Sequence, residues 1–217
     1  MPKVFLSAGH GGADPGAVSN GLQEKTINLN TLLACQSELL RHGVTVICSR
    51  TNDSNDPVSQ EVKEANASGA DIAVSFHANA GGGDGFEAFY YNSSANGKKL
   101  AGLCEKHVKS LGQNSRGLKV GNNLQFIKNT KMISVLVESF FVDNEKDKTI
   151  GDTIQEQKAL GIAYAKAILE YFNIDYKAAS GEQLYRVQVG AFRNRDSANS
   201  VRDKLKKVGF EAIIVEG

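Results

Sequence analysis

Residues 3–48 read KVFLSAGHGGADPGAVSNGLQEKTINLNTLLACQSELLRHGVTVIC, the pattern of a strand, a helix and a second strand. Apolar side chains dominate residues 3–7 and 44–48, as they do in buried strands. Between them, residues 24–42 repeat leucine at helical spacing, and Gly43 is typical of a helix end. Two strands joined through a helix form the basic unit of a parallel sheet, so this segment predicts an α/β fold.

The same alternation continues through most of the chain. Further strands are predicted at residues 71–76, 86–91 and 133–137, and further helices at residues 58–68, 98–111 and 145–172. The strand ISVLV at 133–137 is almost entirely apolar, which is typical of a strand covered on both faces. Residues 1–174 are therefore predicted to form a three-layer α/β sandwich around a mostly parallel sheet.

A second, smaller unit is predicted at the end of the chain. Residues 175–183 have neither strand nor helix periodicity and include Ala-Ala-Ser-Gly, so we expect a linker there. Residues 184–217 predict a small C-terminal βαβ unit, with strands at 184–189 and 212–215. Its helix over 196–208 places four apolar residues on one face: Ala198, Val201, Leu205 and Val208.

Length and composition limit the classes of protein to which the chain can belong. Its 217 residues suit either one large domain or one medium domain with a small addition. Hydrophobic residues make up 41% and charged residues 23%, which predicts a packed core and excludes a disordered, collagen-like or coiled-coil chain. The formal net charge of +1 gives no reason to expect a nucleic acid or a membrane surface as a partner.

A membrane span and a secretory signal are not expected. No apolar run approaches the roughly 18 residues that span a bilayer. The apolar stretch near the N-terminus is short for a signal peptide. We therefore expect the protein to be made in the cytoplasm.

The three cysteines, Cys35, Cys48 and Cys104, lie far apart and form no CxxC pair. This spacing argues against a disulfide framework and against a thiolate metal site. We expect all three to be small apolar side chains of the core.

Ionisable residues follow three of the predicted strands. His10 comes after the first strand, His77 after the third, and Glu138 after the run ISVLV. In open α/β sheets the carboxyl ends of the strands meet at one edge, where ligands bind. A buried carboxylate is costly without a metal, a proton or a partner, so we expect these three side chains to share one site. The other histidines, His42 and His107, lie on polar helical segments and are predicted to be solvated.

Two imidazoles with one carboxylate and an open position form a catalytic zinc site, beside which a second carboxylate acts as base. For the carboxylate ligand Glu24 is favoured, because it begins the first helix and that end of the helix should face the same edge. Three other acidic residues on nearby loops remain candidates: Asp14, Asp84 and Glu87. The residues alone thus predict a hydrolytic metal centre.

Four ordered segments carry a family resemblance. They are SAGHGGADPGA (residues 7–17), LQEK (22–25), SFHAN (75–79) and LVESFFVDN (136–144). In this order and spacing they resemble the zinc-dependent N-acetylmuramoyl-L-alanine amidases of bacteria and their phages. The resemblance covers residues 2–173. It implies the α/β fold and an enzyme that hydrolyses peptidoglycan.

The resemblance also assigns roles to residues. It implies that His10, Glu24 and His77 bind Zn²⁺ and that Glu138 is the catalytic carboxylate. The amidase reading further predicts that Asn79 and Asn144 line the substrate groove, together with the glycine loop at 81–83. One departure from the family is that Phe140 and Phe141 stand where Gly-Phe is common, which affects the packing of the local loop.

The C-terminal segment resembles a second family. The stretch YRVQVGAF at residues 185–192 is similar to the sporulation-related (SPOR) repeats, which bind peptidoglycan. Residues 184–217 have about half the length of that family's unit. A βαβ unit this short, with open strand edges and no cysteine, is not expected to be stable alone. We therefore expect a homodimer in which residues 184–217 of two molecules complete one wall-binding module.

The predicted function is the hydrolysis of the amide bond between N-acetylmuramic acid and L-alanine by zinc-activated water. The alternative is a non-catalytic peptidoglycan-binding protein on an amidase-like scaffold, but all four metal and catalytic residues are present. A nucleotide-binding protein is disfavoured, because GHGGADPG matches neither GxGxxG nor GxxxxGK followed by Ser or Thr. Without a signal peptide, the enzyme is expected to reach the wall through lysis or a pore. That route fits a phage endolysin or a mother-cell lysis amidase of sporulation.

Overall fold

The computed structural model describes residues 1–178, 189–207 and 214. The chain divides into two compact units, Met1–Lys177 and Ala178–Gly217. The first unit is built on one mixed sheet. Its strands are β1 (Lys3–Ala8), β2 (Val18–Ser19), β3 (Leu22–Gln23), β4 (Thr45–Cys48), β5 (Ile72–Asn79), β6 (Phe86–Tyr90), β7 (Ser115–Val120) and β8 (Ile133–Phe141).

Six of these strands form the central sheet in the order β4-β1-β5-β8-β6-β7. Four of the neighbouring pairs are parallel, and β6 runs antiparallel to β8. The short strands β2 and β3 form a separate antiparallel hairpin. The prediction of a mostly parallel sheet is confirmed.

Helices cover both faces of the sheet. They are α1 (Glu24–Arg41), α2 (Val58–Ser68), α3 (Ala95–Lys109), α4 (Gln125–Asn129) and α5 (Ile154–Tyr171). Helices α1, α3 and α5 pack together on one face, and α2 packs with α4 on the other. The predicted three-layer α/β sandwich is confirmed. None of the described helices is long and apolar enough to cross a membrane.

Alternation along the strands divides their side chains between the two cores. In β8, Val135 and Val137 face the α1, α3 and α5 layer, whereas Leu136 faces the α2 and α4 layer. Both sets are apolar because helices cover both faces. By the same alternation, Glu138 shares the α2 and α4 side with Leu136, and His77 shares it with Ala73. The polar side chains near the strand ends therefore gather on one side of the sheet.

Several strand ends differ from the predictions. β5 continues to Asn79 and β8 to Phe141, so His77 and Glu138 lie within strands and not after them. The extension is held by a hydrogen bond from Val142 N to Asn79 O, 2.9 Å long. The predicted strands are too short because the polar side chains of His77 and Glu138 interrupt the apolar runs of β5 and β8.

The long helix predicted over 145–172 is in fact two elements. A 3-10 turn spans Asp147–Ile150, and α5 begins only at Ile154. Thr153 and Glu156 form a reciprocal capping box that fixes this start. The sequence analysis also missed β7, which is a polar edge strand, and α4, which has five residues.

The cysteines are free, and the interpretation of them as core side chains is confirmed. Cys35 and Cys104 are fully buried, and Cys48 packs against the same core while half-buried. The prediction of solvated histidines is wrong. His42 is half-buried and stacks on Tyr176, with 5.1 Å between ring centroids, because the chain after α5 returns to the end of α1. His107 is half-buried and hydrogen bonds Glu170 at 2.7 Å, because α3 packs against α5.

The second unit contains helix α6 (Arg195–Lys207), which begins one residue before the predicted start at residue 196. Three residues of its predicted apolar stripe are half-buried: Ala198, Val201 and Leu205. The predicted flanking strands at 184–189 and 212–215 lie outside the described residues except at positions 189 and 214, as does Val208. The βαβ unit itself stays a prediction.

Candidate active site

Three predicted metal ligands meet at the carboxyl edge of the sheet. His10 follows β1, Glu24 is the first residue of α1, and His77 lies in β5, the neighbour of β1. One donor atom from each lies within 4.8 Å of the other two. Among the described residues this is the only such group of three ionisable side chains. The structure thus brings together the residues that the sequence analysis placed at one site.

Glu24 lies between the two imidazoles. Its Oε2 is 3.2 Å from His10 Nε2, and its Oε1 is 2.9 Å from His77 Nδ1. The backbone holds it from both sides, since Ala17 N donates to Oε2 at 2.8 Å and Ala78 N to Oε1 at 3.2 Å. Both carboxylate oxygens are therefore fixed toward the histidines.

Glycines make the close approach of these side chains possible. A Cβ on Gly9 would lie 2.1 Å from His77 Cε1, so the imidazole packs directly on the backbone at that position. A Cβ on Gly16 would lie 2.6 Å from Glu24 Oε2, and this residue also has a φ of +64°. The glycine-rich segment after β1 is consequently part of the site wall.

The site strongly favours positive charge. The Glu24 carboxylate, with help from Asp14, raises the pKa of His10 to about 9. Burial would lower the pKa of His77, but Glu24 and Glu138 outweigh burial and raise it. Burial likewise opposes ionisation of Glu24, yet the hydrogen bonds of the two histidines hold its pKa below the usual range. The raised pKa values of the two histidines indicate that the Glu24 carboxylate attracts positive charge, which a bound metal cation would also supply.

The donor set fits a divalent metal of intermediate softness. Two imidazole nitrogens and one carboxylate oxygen are ligands typical of zinc. Ligands about 2.0–2.1 Å from a tetrahedral ion lie about 3.3 Å from one another. The separations of 3.2 and 2.9 Å in this site are close to that value. The second nitrogen of His10 contacts Asp14 Oδ2 at 2.8 Å, which would orient the ring as a ligand.

Glu138 lies beside this centre on the next strand. It pairs with His77 across β5 and β8, at the point where the ladder shifts register. Glu138 as a whole is half-buried, but its Oε2 atom is fully buried and has no hydrogen-bond partner among the described residues. Burial raises the pKa of Glu138 to about 7. Such a carboxyl group can gain or lose a proton near neutral pH.

The comparisons with known proteins agree with this geometry. A family model described as N-acetylmuramoyl-L-alanine amidase matches residues 4–170 of the chain. The chain belongs to this amidase family. A second model, described as the SPOR domain, matches residues 157–216, a range that begins within α5.

Bacterial amidases resemble the chain over nearly its full length. The N-acetylmuramoyl-L-alanine amidase CwlM of Bacillus licheniformis is 35% identical, and the alignment covers 99% of this chain and 85% of that protein. The sporulation-specific N-acetylmuramoyl-L-alanine amidase of Bacillus subtilis is 33% identical with the same coverage. The solved catalytic domain of CwlV from Bacillus (Paenibacillus) polymyxa aligns with a TM-score of 0.74 at 31% identity, over 81% of this chain and 100% of that domain.

The acidic residues that competed with Glu24 have other places in the amidase. Asp14 contacts His10 Nδ1 at 2.8 Å and so orients the ring of a predicted metal ligand. Asp84 is exposed on the loop after β5. Glu87 is buried on β6, where it is paired with Arg116 and Lys119.

The two asparagines predicted to line the groove hold loops in this structure. Asn79 Oδ1 accepts a hydrogen bond from Ala80 N at 2.8 Å. Asn144 Nδ2 donates to Gly83 O at 2.8 Å, and its Oδ1 accepts from Lys146 N at 2.9 Å. Their role in binding substrate stays a prediction.

The departure at Phe140 and Phe141 is accommodated by glycines. A Cβ on Gly151 would lie 2.3 Å from the Phe140 ring, and a Cβ on Gly83 would lie 2.3 Å from the Phe141 ring. Both phenylalanines are buried, so they close the core below the site loops. The glycine loop packs on Asp143, whose Oδ2 accepts from the backbone at positions 81 and 82.

An acidic cleft beside His10 and His77 is not predicted by the sequence. A cavity of about 380 Å³ lies between the starts of α2 and α4 and is lined in part by His10, His77, Asp56 and Glu61. Asp56 and Glu61 are 6% and 2% exposed, and burial raises the pKa of both. Since α2 also carries exposed charged residues, its sequence gave no sign that Glu61 points inward.

Proposed function

We propose that the enzyme is a zinc-dependent hydrolase of peptidoglycan, with Zn²⁺ held by His10, Glu24 and His77. The chain belongs to the N-acetylmuramoyl-L-alanine amidase family, whose members cleave the amide between N-acetylmuramic acid and L-alanine. We assign the same bond to this enzyme. One observation carries the proposal. A two-histidine, one-carboxylate group that favours positive charge lies directly beside a buried carboxyl group without a partner.

The metal would supply Lewis acidity, which polarises the scissile carbonyl and makes a water molecule acidic enough to attack near neutral pH. Every proton movement then falls to Glu138. Its Oε2 has no internal partner, so it is free to accept the proton of the attacking water. Its pKa of about 7 lets it pass that proton on to the leaving amine of L-alanine.

Residues around the centre would keep its geometry fixed. Asp14 accepts from His10 Nδ1 and so favours the tautomer whose Nε2 faces the metal. Gly9 lets the His77 ring lie against the backbone of the loop after β1. Rigid support of this kind keeps the ligands in place without reorganisation during the reaction.

The C-terminal unit is proposed to bind the same polymer. The SPOR match supports peptidoglycan binding by this unit. We further propose that it forms a homodimer through residues 184–217. The half-buried apolar stripe of α6, Ala198, Val201 and Leu205, supports this, because an isolated helix leaves such a stripe partly in water.

Metal analysis of matched histidine variants tests the assignment of the ligands. His77→Ala is expected to lose stoichiometric zinc after dialysis, whereas the wild-type protein retains about one ion per chain. His107→Ala is the control, because that half-buried histidine lies at the surface contact of α3 with Glu170. Full zinc in a folded His77→Ala protein would show that the ligands are wrong.

A further inference from the structure

Two basic residues, Arg116 and Lys119, bind Glu87, the residue opposite Glu138, and take no part in the mechanism above. Glu87 on β6 stands directly opposite Glu138 on β8. Its Oε1 accepts hydrogen bonds from Arg116 Nε and Lys119 Nζ, both on the edge strand β7. The Glu87 side chain is 5% exposed, whereas those of Arg116 and Lys119 are 44% and 37% exposed. Arg116 and Lys119 are thus held by a buried carboxylate while they remain accessible to solvent.

The backbone of β7 directs both groups to this place. The ladder between β6 and β7 shifts register between Phe86 and Ala88. Gly117 has a φ of +89° at this irregularity, which turns the strand beside Arg116. The guanidinium of Arg116 lies 5.3 Å from the centre of the Phe141 ring, which holds it near the site loops.

Charge balance leaves this cluster able to take an anion. One carboxylate faces two cations, so the group of Glu87, Arg116 and Lys119 carries a net charge of +1. Arg116 uses its Nε for Glu87, and its Nη1 and Nη2 donate to none of the residues that the structure describes. Guanidinium nitrogens of this kind are suited to bind a carboxylate through paired hydrogen bonds.

Sheet order places the cluster where the peptide part of the substrate must run. Along the edge that holds the carboxyl ends of β1, β5 and β8 and the amino ends of β6 and β7, the order is His10 after β1, His77 on β5, Glu138 on β8, Glu87 on β6 and Arg116 on β7. Because Glu138 would protonate the leaving amine, the peptide begins beside Glu138 and continues away from the metal ligands. Neighbouring strands are about 4.8 Å apart, so the basic pair lies one to two strands further on.

The side of the cleft that borders α2 has the opposite charge. Asp14, Asp56 and Glu61 line the cavity next to the metal ligands. An anionic substrate group would be repelled there and attracted toward β7. The two sides of the site therefore differ in charge. The side next to α2 is acidic, and the side next to β7 is basic.

We propose that Arg116 and Lys119 bind the free α-carboxylate of the D-glutamate that follows L-alanine in the peptide stem. This inference rests on the proposed function. The D-glutamate Cα lies about 3.8 Å beyond the L-alanine Cα, so its α-carboxylate lies on the order of one to two strand spacings from the amine beside Glu138. A stem whose carboxylate is converted to a carboxamide lacks the charge that pairs with the guanidinium. The basic pair is then a determinant of specificity for the unamidated stem.

Two synthetic muropeptides that differ only in this carboxylate or carboxamide test the inference. The kcat/KM values of the wild-type enzyme and calorimetric binding of the two matching L-alanyl product peptides are both measured. The wild-type protein is expected to prefer the carboxylate about tenfold or more in both assays, as for a charge-assisted pair. In Arg116→Gln the preference should fall to about twofold, mostly through KM, while the carboxamide peptide is little affected.

Lys99→Ala is the control, because Lys99 is a lysine of α3 on the other face of the sheet, where its ammonium lies over Tyr171. It should keep the full preference. Equal use and equal binding of the two peptides by the wild-type protein would overturn the inference. Equal losses for both peptides in Arg116→Gln would also overturn it, since they would indicate a structural role alone. If the wild-type protein cleaves neither muropeptide, the proposed function fails, and the binding preference still decides whether the carboxylate site exists.

Discussion

Glu24 is the residue on which the arrangement of the proposed metal centre depends. Both histidines contact it, and two backbone N–H groups fix its oxygens. Its position at the start of a helix favours Glu24 over Asp14, Asp84 and Glu87 in the sequence. In the structure, the first turn of α1 and the ends of β1 and β5 share one edge of the sheet.

The first prediction concerns turnover by Glu138. Glu138→Gln keeps the shape of the side chain but cannot carry the proton, so kcat should fall by a factor of about 10² to 10⁴. Zinc content and the circular dichroism spectrum should stay unchanged. Glu170→Gln removes a carboxylate from the α5 surface and serves as the control. Release of stem peptides at the wild-type rate by Glu138→Gln would contradict the role given to this residue.

A second prediction uses the pKa of the same residue. Its folded-state pKa of about 7 lies above the ordinary glutamate value of 4.5, so the folded state holds this proton more tightly than the unfolded state. Ionisation of Glu138 therefore lowers the stability of the fold as the pH rises from about 4.5 to about 7. In metal-free protein, Glu138→Gln should raise the Tm at pH 8 by about 2–4 °C, and by less at pH 5. Calorimetric scans in a chelator check this, and an equal change at both pH values would refute it.

The elements that the sequence analysis predicted correctly are those with a strong apolar pattern. β1 is strongly apolar and α1 is long, and both lie close to their predicted bounds. β7 was missed because an edge strand exposes polar side chains, and α4 because five residues give too short a pattern. Strand ends at His77 and Glu138 were placed too early, since functional polar residues interrupt the apolar run. The functional residues themselves are thus a cause of the errors.

The loop after β1 provides a test at the level of an element. Gly9→Ala would place a methyl group 2.1 Å from the His77 ring and displace this ligand. The affinity for zinc should fall by about 10- to 100-fold while the fold is retained. Gly102→Ala is the matched control, because a Cβ there meets only Leu118 at 3.8 Å. Competition with a zinc chelator measures both, and wild-type affinity in Gly9→Ala would exclude the packing argument.

At the scale of the whole molecule, the two units differ in how far the sequence predicts them. The catalytic unit follows from alternation of strands and helices, since burial on both faces leaves a clear pattern. The acidic cleft could not be predicted, because a buried Glu61 and a solvated glutamate look alike in a helix. In the C-terminal unit, the predicted helix is present as α6, while the flanking strands lie outside the described residues except at positions 189 and 214.

A prediction for the whole molecule concerns its oligomeric state. The full chain is expected to be a dimer in light scattering, because pairing of two C-terminal units covers the apolar stripe of α6. A protein that ends after Lys177, the last residue of the first unit, should be a monomer with intact catalytic activity on soluble muropeptides. Its activity on whole walls should be lower, because two linked binding units raise avidity. A monomeric full-length protein would refute the proposed dimer.

The central claim is that this chain uses its His-Glu-His centre and Glu138 to cut one particular amide bond. Mass spectrometry of purified peptidoglycan after digestion measures this most directly. The wild-type enzyme with zinc should release stem peptides that begin with a free L-alanine amino group and leave the glycan strands uncut. Glu138→Gln should release almost none. New reducing sugar ends, or peptide cleavage without free L-alanine termini, would contradict the assignment.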